Sequence, residues 1–351
     1  MRPKMAVIGG GPAGLFAAIE GAERQLEVTL FEKGIIGDKV KCGEGLFDTL
    51  GMLGRPEAGV LFQVQHLTMR VKKRHRINNL PLDIWVIDRS RWQKSLKEKA
   101  AAMGVIIREK TPVSRPEIKK LAASFHWVVD ASGPAAVTLP SQRQKCAVTY
   151  QYEMEGDFRF VGRGLYIGLE PNYPGYYWIF PRGDYQAKVG VGWLDPVLCR
   201  KQSLPIRSDL DRIMEKEQLN RYRILKKEGG LIPLGPRKVI LQDNMFLTGD
   251  AAGLASSLHG GGIDMACLSG AAAAKAAARG RPREYPRVIE ELIRRRHRRE
   301  SKILKLWRDL SWEELDAVVA LTAREENHQQ LAFRCSHLAA GLTVVKAFLR
   351  K

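Results

Sequence analysis

The sequence predicts a mixed α/β fold with α+β parts, in which a parallel sheet that is discontinuous in sequence is joined by an antiparallel sheet and a C-terminal helical segment. Three observations predict it. A short apolar strand at residues 4–8 runs into a glycine-rich turn and an Ala-rich helix, as in a βαβ unit. Alternating, aromatic-rich segments fill residues 146–194, which favours antiparallel strands. Helical patterns without strand segments follow from residue 286 onward.

The periodicity of the apolar residues predicts each element in turn. In the first half we expect a strand (4–8), a helix (15–24), a strand (27–31), antiparallel strands in a small sheet of their own (64–87), a helix (88–103) and strands (105–108 and 127–130). In the second half we expect a β-rich segment (146–194), a helix (206–225), strand-like pieces (229–240), a strand (245–248) and helices (260–279, 286–310, 311–322 and 327–350). Ser311 and Glu314 form a capping box that fixes the start of the third of these helices. The chain then divides into three regions, residues 1–140 with 241–285, residues 141–240, and residues 286–351.

Composition narrows the class of protein. The 351 residues are 45% hydrophobic and 27% charged, near globular averages, which excludes a disordered or collagen-like chain. The net charge of +19 predicts an anionic partner, whether nucleic acid, lipid headgroups or a phosphorylated substrate. The five cysteines are widely spaced without a C-x-x-C pair, so we expect no metal and a cytoplasmic protein. No apolar run reaches the length of about 18 residues that a membrane span needs, although peripheral contact stays open.

The first glycine-rich turn has the spacing Gly9-x-Gly11-x-x-Gly14 between a strand and a helix. These glycines let the backbone approach a pyrophosphate, whose charge is met by the free amides and the positive end of the helix dipole. Glu32 ends the next strand, 18 residues after Gly14, where a carboxylate can accept hydrogen bonds from ribose hydroxyls. The sequence therefore predicts a dinucleotide site, which includes Pro12 and Ala13 between the last two glycines.

A second glycine-rich segment decides between NAD and FAD. A strand runs into Gly249 and Asp250, and Gly260, Gly261 and Gly262 precede an Ala-rich helix that starts near Ile263. An Asp at a strand end can bind a ribityl hydroxyl, and the helix N-terminus can stabilise negative charge on a reduced flavin. Nicotinamide needs neither feature. We therefore predict a Rossmann-like FAD-binding domain formed by residues 1–140 and 241–285, a β-rich substrate domain at 141–240 and a basic helical region at 286–351.

Five segments carry a resemblance to a known family. They are the first turn with Glu32-Lys33, the Cys42-Gly43-Glu44-Gly45-Leu46 run, Asp88-Arg89 before a helix, Gly249 to Gly253 with Gly262-Ile263, and Tyr176-x-Trp178-x-Phe180-Pro181. In these the chain resembles the flavoprotein hydroxylase superfamily and, within it, the geranylgeranyl reductase family, which includes archaeal digeranylgeranylglycerophospholipid reductases. Flavin halogenases have the motif W-x-W-x-I-P at the position of the last segment. Two departures are a Ser257 where the family usually has proline beneath the flavin, and a shorter chain.

The resemblance implies an activity and places further residues. It implies that reduced FAD saturates C=C bonds of a geranylgeranyl or other prenyl chain on a phosphorylated or lipid substrate. It implies FAD contacts by Lys33, Cys42, Gly43, Gly45, Arg89 and Val113, in addition to Gly9, Gly11, Pro12, Ala13, Gly14, Glu32, Gly249, Asp250, Gly261, Gly262 and Ile263. Trp178 and Phe180 resemble residues that line a substrate channel, with Tyr176 beside them.

Saturating an alkene also needs a proton, for which the sequence offers three donors. Cys42 lies near the isoalloxazine ring by resemblance, Tyr176 carries a hydroxyl, and the imidazole of His259 titrates near neutral pH. Each of the three also has a purely structural alternative. Cys42 can be a packed thiol, Tyr176 a core tyrosine with one hydrogen bond, and His259 a loop histidine that contacts backbone.

Rival functions and partners also remain open. An FAD monooxygenase or halogenase acting on an aromatic substrate shares the fold and the flavin motifs. Nucleic acid is disfavoured because no aromatic residue except Trp307 interleaves with the basic run at residues 294–299. No second dinucleotide fingerprint exists, so the electrons are expected from an external donor, a ferredoxin or NADPH. Charges on every face of the basic run predict that its helix is not buried there, but is either solvated or docked on an anionic membrane.

Overall fold

The computed structural model describes residues 2–138, 144–170, 175–194 and 205–324. The strands are β1 (Lys4–Ile8), β2 (Glu27–Phe31), β3 (Gly45–Phe47), β4 (Val60–Gln63), β5 (His66–Arg70), β6 (Arg74–Asn78), β7 (Ile84–Ile87), β8 (Ile106–Arg108), β9 (Trp127–Asp130), β10 (Cys146–Glu155), β11 (Gly164–Leu169), β12 (Gly175–Pro181), β13 (Gln186–Trp193), β14 (Arg223–Pro233), β15 (Leu241–Gln242) and β16 (Met245–Leu247). The α-helices are α1 (Pro12–Glu23), α2 (Arg89–Ala102), α3 (Arg115–Ser124), α4 (Ile206–Lys216), α5 (Ile263–Ala278), α6 (Glu284–Asp309) and α7 (Trp312–Thr322).

A six-stranded sheet with the order β15-β16-β9-β1-β2-β8 forms the first layer. Neighbouring strands in this sheet pair in parallel, except β15 and β16, which are antiparallel to each other. Val7 in β1 pairs with Leu30 in β2 and Val129 in β9, and all three side chains are buried, as expected of a parallel sheet covered on both faces. The sheet takes strands from both sides of residues 141–240, so the discontinuity predicted from the sequence is present.

Helices α1 and α5 cross at very short range beside this sheet. A Cβ atom at Gly270 in α5 would lie 2.0 Å from the carbonyl oxygen of Ala13 in the first turn of α1. A Cβ at Gly249 would lie 3.2 Å from the Cβ atoms of both Ala13 and Ala266. Small residues therefore let the two glycine-rich segments meet at the start of α1.

The second layer is a seven-stranded sheet with the order β14-β10-β13-β12-β11-β5-β6. It is antiparallel except where β5 runs parallel to β11. Strand β7 instead belongs to a three-stranded sheet, β3-β7-β4. The prediction that residues 64–87 form one small sheet is therefore wrong. The chain turns at Asn79, whose φ is +52°, so that β5 and β6 extend the large sheet while β7 leaves it.

Two helix predictions also need correction. The helix predicted at 206–225 ends at Lys216, because Gln218 adopts a left-handed φ of +58° and the chain then enters β14. Helix α3 was missed, although Ser114 and Glu117 form a capping box at its start.

The predicted start of α7 is confirmed, with Ser311 Oγ accepting a hydrogen bond from the Glu314 amide at 3.2 Å. The helix predicted at 327–350 lies outside the described residues, as do Cys199 and Cys335. The domain boundaries that the sequence suggested stay a prediction.

Candidate active site

The turn between β1 and α1 packs tightly against backbone atoms at two of its glycines and is open at a third. The φ of Gly9 is +108°, and a Cβ there would lie 2.4 Å from the Ala131 carbonyl oxygen. A Cβ at Gly14 would lie 1.9 Å from the Gly9 carbonyl oxygen, whereas a Cβ at Gly11 would have no described atom beyond its chain neighbours within 4 Å. Helix α1 starts at Pro12 without a side-chain cap or an acidic residue in its first turn. Its amides can therefore bind an anion.

Glu32 is fixed at the edge of this turn. Its Oε2 accepts a hydrogen bond from the Gly10 amide at 2.7 Å and its Oε1 one from the Gly34 amide at 2.8 Å. A carboxylate has about four acceptor sites, so ribose hydroxyls can still bind. The Thr111 amide donates to the Glu32 carbonyl at 2.8 Å, which brings the half-buried Val113 toward the same edge.

The second glycine-rich segment places a carboxylate next to the N-terminus of α5. A Cβ at Gly262, the N-cap residue, would lie 3.6 Å from Asp250 Oδ1. Burial raises the pKa of Asp250, and the positive charge of Arg89 opposes that rise. The Met265 amide already donates to Asp264 at 2.7 Å, so the amides before it are the ones that can meet an anion.

Two buried polar atoms beside these turns have no hydrogen-bond partner among the described residues, Nε of Arg89 and Oε1 of Gln93. The amide nitrogen of the Gln93 side chain donates to the Gly10 carbonyl at 3.3 Å, so this residue reaches the first turn. Buried polar atoms are almost always paired. Together with the open space at Gly11, they fit a cofactor with phosphate and hydroxyl groups.

The Cys42–Gly45 segment links the two layers. The Glu44 amide donates to Cys42 Sγ at 3.2 Å, and the Gln151 side chain donates to the Cys42 carbonyl at 3.0 Å. A Cβ at Gly43 would lie 3.3 Å from the Phe180 ring. This segment, which we call the cysteine loop, therefore lies directly against β10 and β12.

Sequence reasoning missed the ionic network that holds the cysteine loop. The Glu44 carboxylate is buried, forms an ion pair with Arg182, and lies 3.7 Å from Lys188 Nζ. Lys188 in turn lies 3.8 Å from Glu228, and Arg182 lies 3.2 Å from Asp88. Opposite charges offset the desolvation of each ion. The available signal was an acidic residue between two glycines, but its partner is 138 residues away.

Three aromatic side chains alternate along β12 and so share one face of the sheet. The ring centroids of Tyr176 and Trp178 are 5.8 Å apart, and those of Trp178 and Phe180 are 6.3 Å apart. We call these three residues the aromatic face. Nε1 of Trp178 is buried without a partner in the described chain. A Cβ at Gly190 on the adjacent strand would lie 2.3 Å from the indole. The buried apolar residues around this face include Phe62, Val64, Ile84, Val86 and Leu165.

The three predicted proton donors come together at the aromatic face. The Tyr176 hydroxyl donates to the His259 carbonyl. Burial raises the pKa of Tyr176, and a negative charge on Cys42 would raise it further. His259 Nδ1 accepts from the Gly261 amide at 3.2 Å, and burial lowers the pKa of this imidazole against the opposing effect of nearby carboxylates. Because Nδ1 accepts the amide hydrogen, the neutral form of His259 carries its proton on Nε2.

The middle of the basic helix α6 is partly buried, which corrects the prediction from its charge. The side chains of Arg296 and Glu300 are only 8% and 5% exposed, and their Nε and Oε1 atoms are 3.2 Å apart. Arg296 also donates to the Leu254 carbonyl, and the Ser257 amide donates to Glu300 at 3.1 Å. Opposite charges one turn apart let this face of the helix enter the interior.

Comparison with known proteins identifies relatives of the whole chain. Residues 4–73 match the family model described as an FAD binding domain. Digeranylgeranylglycerophospholipid reductase 2 of Methanosphaera stadtmanae is 28% identical, and the alignment covers 91% of each chain. The predicted resemblance is confirmed. These matches also confirm the predicted cofactor, FAD, and the predicted class of enzyme, an FAD-dependent oxidoreductase.

Solved structures confirm the predicted fold. A geranylgeranyl bacteriochlorophyll reductase-like protein from Thermoplasma acidophilum superposes with a TM-score of 0.78 at 22% identity, covering 93% of each chain. The myxobacterial chondrochloren halogenase superposes with a TM-score of 0.69 at 17% identity, covering 96% of this chain and 90% of its own. A fold shared by a reductase-like protein and a halogenase does not decide the reaction.

The predicted site residues occupy three neighbouring places. At the first turn and the end of β2 lie Gly9, Gly11, Pro12, Ala13, Gly14, Glu32, the exposed Lys33 and, toward the same edge, Val113. At the second turn and the cysteine loop lie Gly249, Asp250, Gly261, Gly262, Ile263, Arg89, Cys42, Gly43 and Gly45. Beside them lie Tyr176, Trp178, Phe180 and His259. Their individual roles stay predictions. Among the helices of the described residues, none is both long and apolar enough to cross a membrane.

Proposed function

We propose that this protein reduces C=C bonds in a geranylgeranyl or other prenyl chain attached to a phosphate, a diphosphate or a lipid head. The observation that carries the proposal is the aromatic face, which lies against the cysteine loop at Phe180 and against the loop of His259 at Tyr176. An apolar wall between two segments of the FAD site suits an elongated hydrocarbon chain. The reductase relatives support this substrate class.

An isolated alkene is unreactive, so the protein must hold it in place and exclude water. Reduced FAD, when bound by the two glycine-rich turns, supplies the hydride. Trp178 and Phe180 supply apolar surface on which a prenyl chain can be aligned, and both are buried. The cysteine loop is held against this surface by the Glu44 network, which keeps Cys42 in place.

We assign the proton to Cys42. Its sulfur accepts a hydrogen bond from the Glu44 amide, which leaves the S–H proton free to be donated. The Tyr176 proton, in contrast, is already hydrogen-bonded to the His259 carbonyl. In a single turnover of pre-reduced enzyme, Cys42→Ser should slow alkene reduction by at least about tenfold, within the range of positioned acid catalysis. An unchanged rate would make Cys42 a packing residue and leave His259 Nε2 as the donor.

Anaerobic photoreduction of the purified protein tests the reaction itself. Adding a geranylgeranyl lipid to the reduced protein should yield a product heavier by two hydrogens per saturated bond in mass spectrometry. Oxidised protein is the control. A protein that leaves the lipid unchanged but halogenates or hydroxylates an aromatic compound in air would support the alternative, an FAD monooxygenase or halogenase.

The electron donor is proposed to be a ferredoxin or NADPH. The two can be distinguished by mixing the oxidised protein anaerobically with reduced ferredoxin or with NADPH and following the loss of flavin absorbance. Rapid bleaching by one donor alone would identify it.

We also propose that exposed basic residues of α6 dock reversibly on an anionic membrane, where a lipid substrate resides. Arg287, Arg299 and Lys302 are exposed, and each basic residue near such a surface contributes about 1 kcal/mol. In flotation, the protein should rise with anionic vesicles at low salt and stay behind with neutral ones. Equal behaviour toward both, or binding that persists in high salt, would contradict electrostatic docking.

A further inference from the structure

The loop over residues 254–262, which we call the flavin-side loop, is attached to helix α6. Among the described side chains, two hydrogen bonds attach it: the Ser257 amide donates to Glu300 Oε2 at 3.1 Å, and the Leu254 carbonyl accepts from Arg296. Because Arg296 Nε also lies 3.2 Å from Glu300 Oε1, both contacts belong to one ion pair.

The ion pair is buried, which makes it more than a surface contact. Arg296 and Glu300 are 8% and 5% exposed, and Nη1 of Arg296 has no partner among the described residues. Removing one charge would leave the other buried and uncompensated. Water therefore competes little for the bond to Ser257.

The flavin-side loop is also closed on itself, so that it moves as a unit. The Ser256 amide donates to the Gly261 carbonyl at 2.8 Å, and the Gly260 amide donates to the Ser256 carbonyl at 2.9 Å. Ser256 Oγ accepts from the His259 amide at 3.1 Å. A shift at Ser257 would therefore also move the His259 carbonyl, which accepts the Tyr176 hydroxyl, and the N-terminus of α5.

We propose that Glu300 is a positioning residue of the active site, which fixes the flavin-side loop through the Ser257 amide and thereby couples helix α6 to the FAD site. Its effect on turnover rests on the proposed function. Its effect on the loop and on FAD does not, so the two can fail separately.

The primary test compares Glu300→Gln with Glu291→Gln, an exposed position on the same helix with the same loss of charge. In the protein saturated with FAD, hydrogen exchange of the peptide spanning residues 254–262 should be roughly tenfold faster in Glu300→Gln, the size expected when a charged acceptor becomes a neutral one. FAD should dissociate more readily from that variant. Equal exchange and equal FAD affinity in the two variants would overturn the proposal.

A second pair of variants leaves α6 intact and keeps the test decisive if Glu300→Gln fails to fold. Ser257→Pro removes the amide donor, whereas Ser257→Ala keeps it. The proline variant, unlike the alanine variant, should loosen the loop, and it should loosen it less in the Glu300→Gln background than in the parent, because the Ser257 bond is already weakened there. Additive effects, or equal effects of proline and alanine, would overturn the proposal. Neither measurement uses a prenyl substrate.

Discussion

The parallel sheet and the seven-stranded antiparallel sheet contribute to the site in different ways. The parallel sheet contributes backbone amides and glycines in turns that directly follow its strands, as at Gly9–Gly14. The antiparallel sheet contributes side chains from one face of β12. The cysteine loop is held against this sheet by partners far away in sequence, such as Glu44 with Arg182. A cofactor site made of turns is encoded locally, whereas a substrate surface depends on the tertiary fold. Substitutions in the two regions should therefore affect different measurements.

Two glycines of the first turn give the largest expected effect. Gly14→Ala places a Cβ against the Gly9 carbonyl at 1.9 Å and should lower the free energy of unfolding by about 3 kcal/mol or more. Gly11→Ala meets open space, so the FAD-free protein should unfold at the parental temperature while FAD binding is lost. Thermal unfolding with and without FAD measures both. If Gly11→Ala binds FAD normally, the open space does not hold the pyrophosphate.

Substitutions in the aromatic face should change the turnover rate and not the affinity for FAD. Trp178→Ala should lower the rate with long prenyl substrates by about a hundredfold, because the alkene is no longer aligned. Ile179→Ala is the matched control, since this neighbour is also buried but points to the opposite face of β12. Both variants should lose stability, yet only the first should lose turnover. A similar rate loss in both would remove the aromatic face from the substrate site.

Glu32→Ala should show the reverse pattern. The free energy of FAD binding should weaken by about 1–3 kcal/mol, the range for polar groups left without a partner. The rate of alkene reduction by the FAD-saturated variant should be little changed. Glu27→Ala lies at the other end of the same strand and is exposed, so it controls for the loss of a carboxylate. Titration of the FAD-free protein with FAD measures the difference. Equal affinities would remove Glu32 from the ribose.

The smallest expected effect concerns the docking of α7 on β6. Asp316 accepts hydrogen bonds from the Lys72 and Lys73 amides and contacts His75 Nε2, all at 2.9 Å. Burial would raise the pKa of Asp316, but these bonds outweigh it and hold the pKa below its ordinary value of 3.8.

A depressed carboxyl pKa stabilises the fold above pH 3.8 and loses that contribution as the pH falls further. Asp316→Asn should therefore lower the free energy of unfolding by about 1 kcal/mol at neutral pH, and by progressively less in acid. The pH dependence of urea unfolding measures this. A cost that is constant with pH would show that the charge of Asp316 plays no part.

The sequence predicted the parallel sheet and both glycine-rich turns because their signals lie within a few residues of one another. The spacing of Tyr176, Trp178 and Phe180 also implies their common face, since alternation along a strand fixes it, although the sequence analysis reached these residues through the resemblance. It failed where the outcome depended on distant partners. The charge of α6 predicted exposure, yet Arg296 and Glu300 are buried because each compensates the other.

The Glu44 network was missed for the same reason. No local pattern shows that an acid in a glycine-rich run will meet Arg182 on another sheet. The turn at Asn79, which separates β7 from β6, likewise depends on which sheet each strand joins. Local propensity cannot decide that choice.

The missing side chain at Gly190 constrains how this protein can evolve. Its backbone occupies the position next to the Trp178 indole where any Cβ would overlap the ring. A Cβ there would also lie 2.6 Å from the Cβ of Gln151. A side chain at residue 190 therefore needs both a smaller residue 178 and a shift of β10, whereas residue 178 can shrink first without a clash. The order of accepted mutations is thus fixed in one direction. A lineage that reshapes this surface can therefore replace the tryptophan first, but not the glycine.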